Sequence, residues 1–230
     1  AEDIVGLGVG GLLMEIVSRP QPRAEPVAER EAAERPVAAL VLAAGRSSRM
    51  GSPKMLATLD GVPLVRRAAE AALASVAERV VVVTGHQGDR VAGALEGLEV
   101  ERVDNPNFAE GLSTSLAAGL SSLGDEAEAA IVLLGDMPMI DAAMIDRLID
   151  AFDPETGALI VVPTHGGRRG NPVLWSRRFF PELMAVSGDK GGRDILAEYP
   201  DAIVEVELGE AAAVDIDTPE ALADIGGAAA

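Results

Sequence analysis

Two stretches of this chain are apolar at every position: residues 80–83, Val-Val-Val-Val, and residues 131–134, Ile-Val-Leu-Leu. A third, residues 37–41 (Val-Ala-Ala-Leu-Val), is the same. A strand with one face in water alternates apolar and polar residues. A strand without alternation is covered on both faces, as in a parallel sheet sandwiched between helices. Periodic helical patterns separate these runs, at residues 64–76, 86–95, 112–123 and 141–152. Residues 100–103 read as a short strand, 158–163 and 172–175 as extended, 191–198 as helical, 203–208 as a strand and 218–223 as a last helix. Strand–helix alternation implies a three-layer, Rossmann-like α/β fold, its sheet mostly parallel with helices on both faces. Such sheets bind ligands at the carboxyl ends of their strands.

The 230 residues suffice for one large domain and an appendage. Aromatic residues make up only 3% against 48% hydrophobic, so the core must be built from Ala, Val, Leu and Ile. Residues 1–36 read as an N-terminal appendage ending in a linker, with Pro20, Pro22, Pro26 and Pro36 among Arg, Glu and Ala. The chain starts at Ala, which suggests trimming or a piece of a longer polypeptide. Residues 37–225 form the main domain, and 226–230 a flexible tail. Gly6-Leu7-Gly8-Val9-Gly10-Gly11 matches G-x-G-x-x-G, but only Asp3-Ile4-Val5 precedes it and a proline-rich stretch follows, so no βαβ context supports it. Residues 4–17 lack a basic start and are broken by Glu15, which argues against a signal peptide. No apolar run has the length of a membrane span. Together these point to the cytoplasm.

A net charge of −18 disfavours nucleic acid, which needs a basic face. An anionic ligand would need local positive charge and a divalent metal. Cysteine is absent and histidine is confined to His86 and His165. Oxygen ligands remain, which favour Mg²⁺ (or Mn²⁺).

The local positive charge follows the first apolar run. Leu42, Ala43, Ala44, Gly45, Arg46, Ser47, Ser48, Arg49, Met50, Gly51, Ser52, Pro53 and Lys54 form a glycine-rich basic loop at a strand end. Gly45 and Gly51 permit tight turning and close approach of backbone N–H groups, and such loops cradle phosphates. This one is neither a Walker A loop nor a dinucleotide fingerprint. Arg46, Arg49 and Lys54 are candidates to hold a triphosphate, with Arg49 and Lys54 catalytic.

Asp136, in Gly135-Asp136-Met137-Pro138, ends another buried strand and can hold the metal. The competing role is helix N-cap, but Asp141 is the better cap. In Asp215-Ile216-Asp217-Thr218-Pro219-Glu220, Thr218 and Pro219 read as cap and first helical residue. Asp217 is the candidate second metal carboxylate, with Asp215 the alternative. Asn105, Ser113 and Ser115 lie in a polar stretch entering a helix and could meet a base or phosphate; Ser113 is equally well a helix cap. Thr84 and Gly85 end a strand and could line the same crevice. Two further basic glycine-rich loops suggest a second anionic ligand. One contains Arg168, Gly170 and Asn171, the other Asp189, Lys190, Gly191 and Gly192. Solvated turns are the plainer alternative for both.

In this order the motifs resemble those of the molybdenum cofactor cytidylyltransferases, within the wider MobA-like nucleotidyltransferase superfamily. The resemblance covers about residues 37–225. It implies a fold of the nucleotide-diphospho-sugar transferase type and transfer of CMP from CTP to molybdopterin or its molybdenum form, with release of pyrophosphate. A recipient molybdoenzyme or its chaperone is an implied partner. Guanylyl-transferring relatives read L-A-G-G where this chain has Leu42-Ala43-Ala44-Gly45, so Ala44 points to CTP. Many relatives carry His at the position of Asn171. Residues 4–23 resemble the end of a molybdopterin-binding domain that some bacteria fuse ahead of such a transferase. Rival readings on the same scaffold are transfer of a guanylyl group, or to a sugar phosphate; a glycosyltransferase or a non-catalytic cofactor-binding domain is a further alternative.

Overall fold

A computed structural model describes residues 35–45, 53–188, 191–212 and 218–229. Its central sheet is built on three strands at the all-apolar runs: β1 (Val37–Leu42), β4 (Arg79–Thr84) and β6 (Ala129–Leu134). β2 (Thr58–Leu59) and β3 (Val62–Pro63) form a small hairpin. Around these lie β5 (Glu101–Asp104), β7 (Ile160–His165), β8 (Arg168–Arg169), β9 (Val173–Ser176) and β10 (Ile203–Glu207). The helices are α1 (Leu64–Leu73), α2 (Gly88–Ala94), α3 (Leu112–Ser122), α4 (Ala142–Asp150), α5 (Phe180–Ala185), α6 (Arg193–Glu198) and α7 (Pro219–Asp224). Among the described residues the sheet order is β10-β7-β9-β6-β1-β4-β5, with β8 paired to β7.

The expected mixed α/β architecture is present. β1 pairs in parallel with both β4 and β6. Successive residues of these strands point to opposite faces, and each face meets its own helical layer. Ala39, Val41, Val82, Ile131 and Leu133 pack with Val65 and Ala69 of α1 and Ile145 and Leu148 of α4. Ala38, Leu40, Val81, Val83 and Ala130 pack with Leu116 and Leu120 of α3, Leu183 of α5 and Ile195 of α6. Both faces are dry, and the missing alternation in the sequence is the direct trace of that.

Three features depart from the sequence reading. β9 runs antiparallel to both β6 and β7; a four-residue apolar strand carries no sign of its direction. α5 has no counterpart in the sequence reading, being six residues long and too short for a periodic signal. Gly227–Ala228 forms β11, which pairs antiparallel with β2, so part of the expected flexible tail is in a ladder. Two-residue strands leave no pattern to read. No helix among the described residues is long and apolar enough to cross a membrane.

Asp141 caps α4, its carboxylate oxygen accepting from Met144 N at 2.8 Å. Replacing it by Ala is expected to lower unfolding stability by about 1 kcal/mol, while Asp141→Asn stays near wild type. Urea denaturation of the two variants, followed by far-UV circular dichroism, checks this.

Candidate active site

β1 and β6 are in register along their whole length, Leu42 opposite Leu134. Their carboxyl ends therefore finish side by side. Gly135 N donates to Leu42 O at 3.0 Å and continues the pairing one residue further. A Cβ on Gly135 would lie 2.9 Å from Met55 Sδ and 3.2 Å from Leu42 O. The turn at Lys54–Leu56 sits against the end of β6, with Met55 Sδ beside Gly135. Next to it is the central contact of the site: Lys54 Nζ forms an ion pair with Asp136 Oδ2. Both residues are buried, at 7% and 8% exposure. Two residues 82 positions apart in sequence, each singled out by a separate motif, are thus in direct contact at the strand ends. Asp141, and not Asp136, is the helix cap.

The start of the glycine-rich loop lies in the core. Leu42, Ala43 and Ala44 are buried, and Gly45 is exposed. Ala43 N donates to Val83 O at 2.9 Å, and His86 N donates to Ala44 O at 3.3 Å. The methyl of Ala44 faces Gly85, where a Cβ would come within 2.9 Å of it and 2.7 Å of Phe108 Cβ. Arg46, Ser47, Ser48, Arg49 and Gly51, expected on the same loop, lie outside the described residues, as do Asp189, Lys190, Asp215 and Asp217.

Thr84, Asn105, Ser113 and Ser115 are brought together beside this loop, but they are buried, with Thr84 at 5% and the others at 3% exposure. Asn105 Nδ2 donates to Thr114 Oγ1 at 2.9 Å and to Ser115 Oγ at 3.0 Å, and Oδ1 accepts from Asn107 N at 2.9 Å. Its amide is therefore committed to holding the segment between β5 and α3. The structure gives Asn105 and Ser115 a positioning part there. Ser113 is not the cap of α3 either: Gly111 holds that position, at φ 120°, with no side-chain cap bond.

Gly170, Asn171, Gly191 and Gly192 meet at one cavity. With Leu42 they line a cavity of about 500 Å³ whose remaining wall is largely apolar, including Leu116, Leu134 and Trp175. Antiparallel β9 is what brings the first two here: Val173 pairs with Val132, so the residues preceding it extend past the carboxyl end of β6. Gly170 is pressed against the chain at Ala212, where a Cβ would fall 2.0 Å from the carbonyl oxygen. Trp175, the single Trp of the chain, was not among the sequence candidates. A lone Trp in so aromatic-poor a sequence is a signal that could have marked the cavity. Arg168 and Arg169 are exposed on β8, and Arg169 Nε donates to Glu205 Oε1 at 2.7 Å.

Asp136 offers hard oxygen ligands, the donor chemistry that suits Mg²⁺ or Mn²⁺. Among the described residues no group of three or more His, Asp and Glu surrounds it. The described residues thus fit an ion held by one or two carboxylates and completed by substrate phosphates, the usual arrangement for Mg²⁺.

Comparison with known proteins bears on this geometry. The Bifunctional protein GlmU of Sorangium cellulosum is 33% identical over 182 residues, spanning 76% of this chain but only 38% of GlmU. The chain therefore spans well under half of the GlmU relatives it matches. The Molybdenum cofactor cytidylyltransferase of Escherichia coli is 28% identical over 79% of this chain and 91% of its own length. Among solved structures, the Rv0371c protein of Mycobacterium tuberculosis superposes with a TM-score of 0.73 at 25% identity, covering 83% of this chain and 97% of that one. A second structure of it is a complex with manganese. Residues 39–203, which hold most of β1, Lys54, Asp136 and the residues lining the cavity, match the MobA-like NTP transferase domain, and the chain belongs to that family of nucleotidyltransferases.

Proposed function

We propose that this nucleotidyltransferase moves CMP from CTP to molybdopterin or its molybdenum form, giving the cytosine dinucleotide and pyrophosphate. The observation that carries the reading is the buried Lys54–Asp136 pair between a glycine-rich loop and a largely apolar cavity. A cation and a carboxylate in contact near adjoining strand ends supply what phosphoryl chemistry needs, namely positioning and charge neutralisation. The cavity wall, largely apolar with Arg169 and Arg193 as its charged residues, suits a flat anionic heterocycle better than a polyhydroxylated sugar. Likeness to the Escherichia coli cytidylyltransferase over nearly its whole length supports the same acceptor. Ala44, as in L-A-A-G, supports CTP.

In this reading Lys54, with Arg46 and Arg49, holds the triphosphate and stabilises charge on the departing pyrophosphate. Asp136, with Asp217, would hold the divalent ion. When bound, that ion neutralises phosphate charge and acts as a Lewis acid at the α-phosphate. An oxygen of the acceptor phosphate forms the new bond to the α-phosphorus. The bond from the α-phosphorus to the bridging oxygen breaks, and pyrophosphate leaves with the electron pair. A phosphate nucleophile is already ionised near neutral pH, so the protein needs no general base. Asn105 and Ser115 hold the loop beside Thr84 and Gly85, which lines the nucleotide side. Gly170, Asn171, Gly191 and Gly192, with Arg168, Asp189 and Lys190, serve the acceptor side.

A second reading, transfer to a different phosphate-bearing acceptor, is favoured by the higher identity of the GlmU relatives. Pyrophosphate release measured with CTP, GTP, ATP and UTP, each with Mg²⁺ and molybdopterin, separates the two. Turnover with CTP above the other three is the expected result. No turnover with any nucleotide sinks the acceptor assignment, and a preference for GTP sinks the base assignment alone.

The roles of the ion pair are tested by Asp136→Asn and Lys54→Met. Each is expected to lower kcat by about 10²- to 10³-fold, the scale for losing one preorganised charged group. A reduction below tenfold in Asp136→Asn, with circular dichroism unchanged, counts against its metal role.

A further inference from the structure

Gly170 and Asn171 also line a second recess, of about 270 Å³. Its lining includes Met137, Asn171, His165, Arg168 and Arg169. Arg169, Gly170 and Asn171 line both spaces, so the two adjoin along one wall. β7 and β8 pair antiparallel, with His165 directly opposite Arg168. Directly opposed side chains on a two-stranded ladder share a face, so the imidazole and the guanidinium stand together. Arg169 is held by Glu205, whereas Arg168 makes no ion pair among the described residues. His165 Nδ1 lies 3.7 Å from Glu207 Oε1, leaving Nε2 for a ligand. In a chain of net charge −18 this is a local concentration of anion-binding groups. It is adjacent to Met137, the residue after Asp136.

The sheet order tells which anion belongs there. Attack on an α-phosphorus brings the entering and leaving oxygens roughly in line, on opposite sides of the phosphorus. β6, which ends two residues before Asp136, separates β1 from β9 and β7. With the triphosphate and its departing pyrophosphate on the β1 side, the nucleophile must arrive from the β9–β7 side. We propose that Arg168 and His165 grip the phosphate of the acceptor in this recess, while the body of the acceptor lies in the apolar cavity across Gly170–Asn171. The acceptor class that fits is a flat heterocycle ending in a phosphate monoester. This rests on the nucleotidyl-transfer reading above and adds His165 and the recess to it.

The test reads binding without turnover. The chain has two histidines, so ring ¹H–¹³C correlations of the uniformly labelled full chain are resolved and assigned with His165→Asn. Titration with phenyl phosphate is expected to move the His165 signal saturably and leave His86 in place. Arg168→Ala should weaken that binding about tenfold, and Arg168→Lys should restore part of it. Absence of a saturable shift, or an unchanged affinity in Arg168→Ala, overturns the proposal. A parallel titration with inorganic pyrophosphate distinguishes the source. Binding at His165 about tenfold tighter than phenyl phosphate would make the recess a leaving-group site and overturn the assignment. In turnover, His165→Asn should raise the KM for the acceptor about tenfold while the KM for CTP stays unchanged; an unchanged acceptor KM overturns it. If the wild-type chain transfers nothing to molybdopterin, the acceptor reading fails, and the histidine titration still decides whether the recess is a phosphomonoester site.

Discussion

The buried ion pair between Lys54 and Asp136 is the contact on which the arrangement of the site depends. Taking a carboxylate and an ammonium out of water costs several kcal/mol for each ion, and mutual attraction offsets this only when the geometry is close. Removing either partner alone leaves a buried charge whose cost is about 3–5 kcal/mol. Apolar residues of similar volume would serve packing as well or better, so the pair is explained by function more readily than by stability. Gly135 lies beside the pair, with Met55 of the Lys54–Leu56 turn packed where a Cβ would be.

Behind the pair is a sheet with two dry faces. Each of the three central strands sends alternate residues into a different helical layer, so none can slip by one residue without turning core side chains to the wrong face. That fixes how far β1 and β6 extend relative to each other, and hence where Lys54 and Asp136 meet. The layer that includes α3, α5 and α6 also supplies Leu116, and β9 supplies Trp175, to the cavity beside Gly170 and Asn171. Core packing and cavity wall are continuous on that side. Beside Thr84 and Gly85 the polar residues do a different job. Asn105 spends its amide on Thr114, Ser115 and Asn107, fixing the segment that carries Phe108 against Gly85.

β6 lies between the two halves of the candidate site. The strand order puts β1, with the start of its glycine-rich loop, on one flank and β9 and β7, with the Gly170–Asn171 wall and its basic hairpin, on the other. In the proposed reaction that separates entering from leaving group, with one carboxylate between them. Family membership and fold agree with a nucleotidyl transfer.

Strand positions, the mixed α/β class and the motif residues Lys54 and Asp136 were legible in the sequence, because each depends on local chemistry. All-apolar runs report burial on both faces, and a carboxylate or lysine at a strand end reports a ligand edge. The contact between Lys54 and Asp136 was not legible, since it depends on strand register and on how the Lys54–Leu56 turn sits against the end of β6. The inward turn of Asn105 was equally hidden: an amide in a polar loop looks the same whether it faces ligand or backbone. Least visible was the direction of β9. Run in parallel, it would have carried Gly170 and Asn171 to the amino edge of the sheet, away from Asp136. Its apolar residues bury equally well either way. Only the pairing of Val173 with Val132, a long-range contact without local signature, placed them at the site.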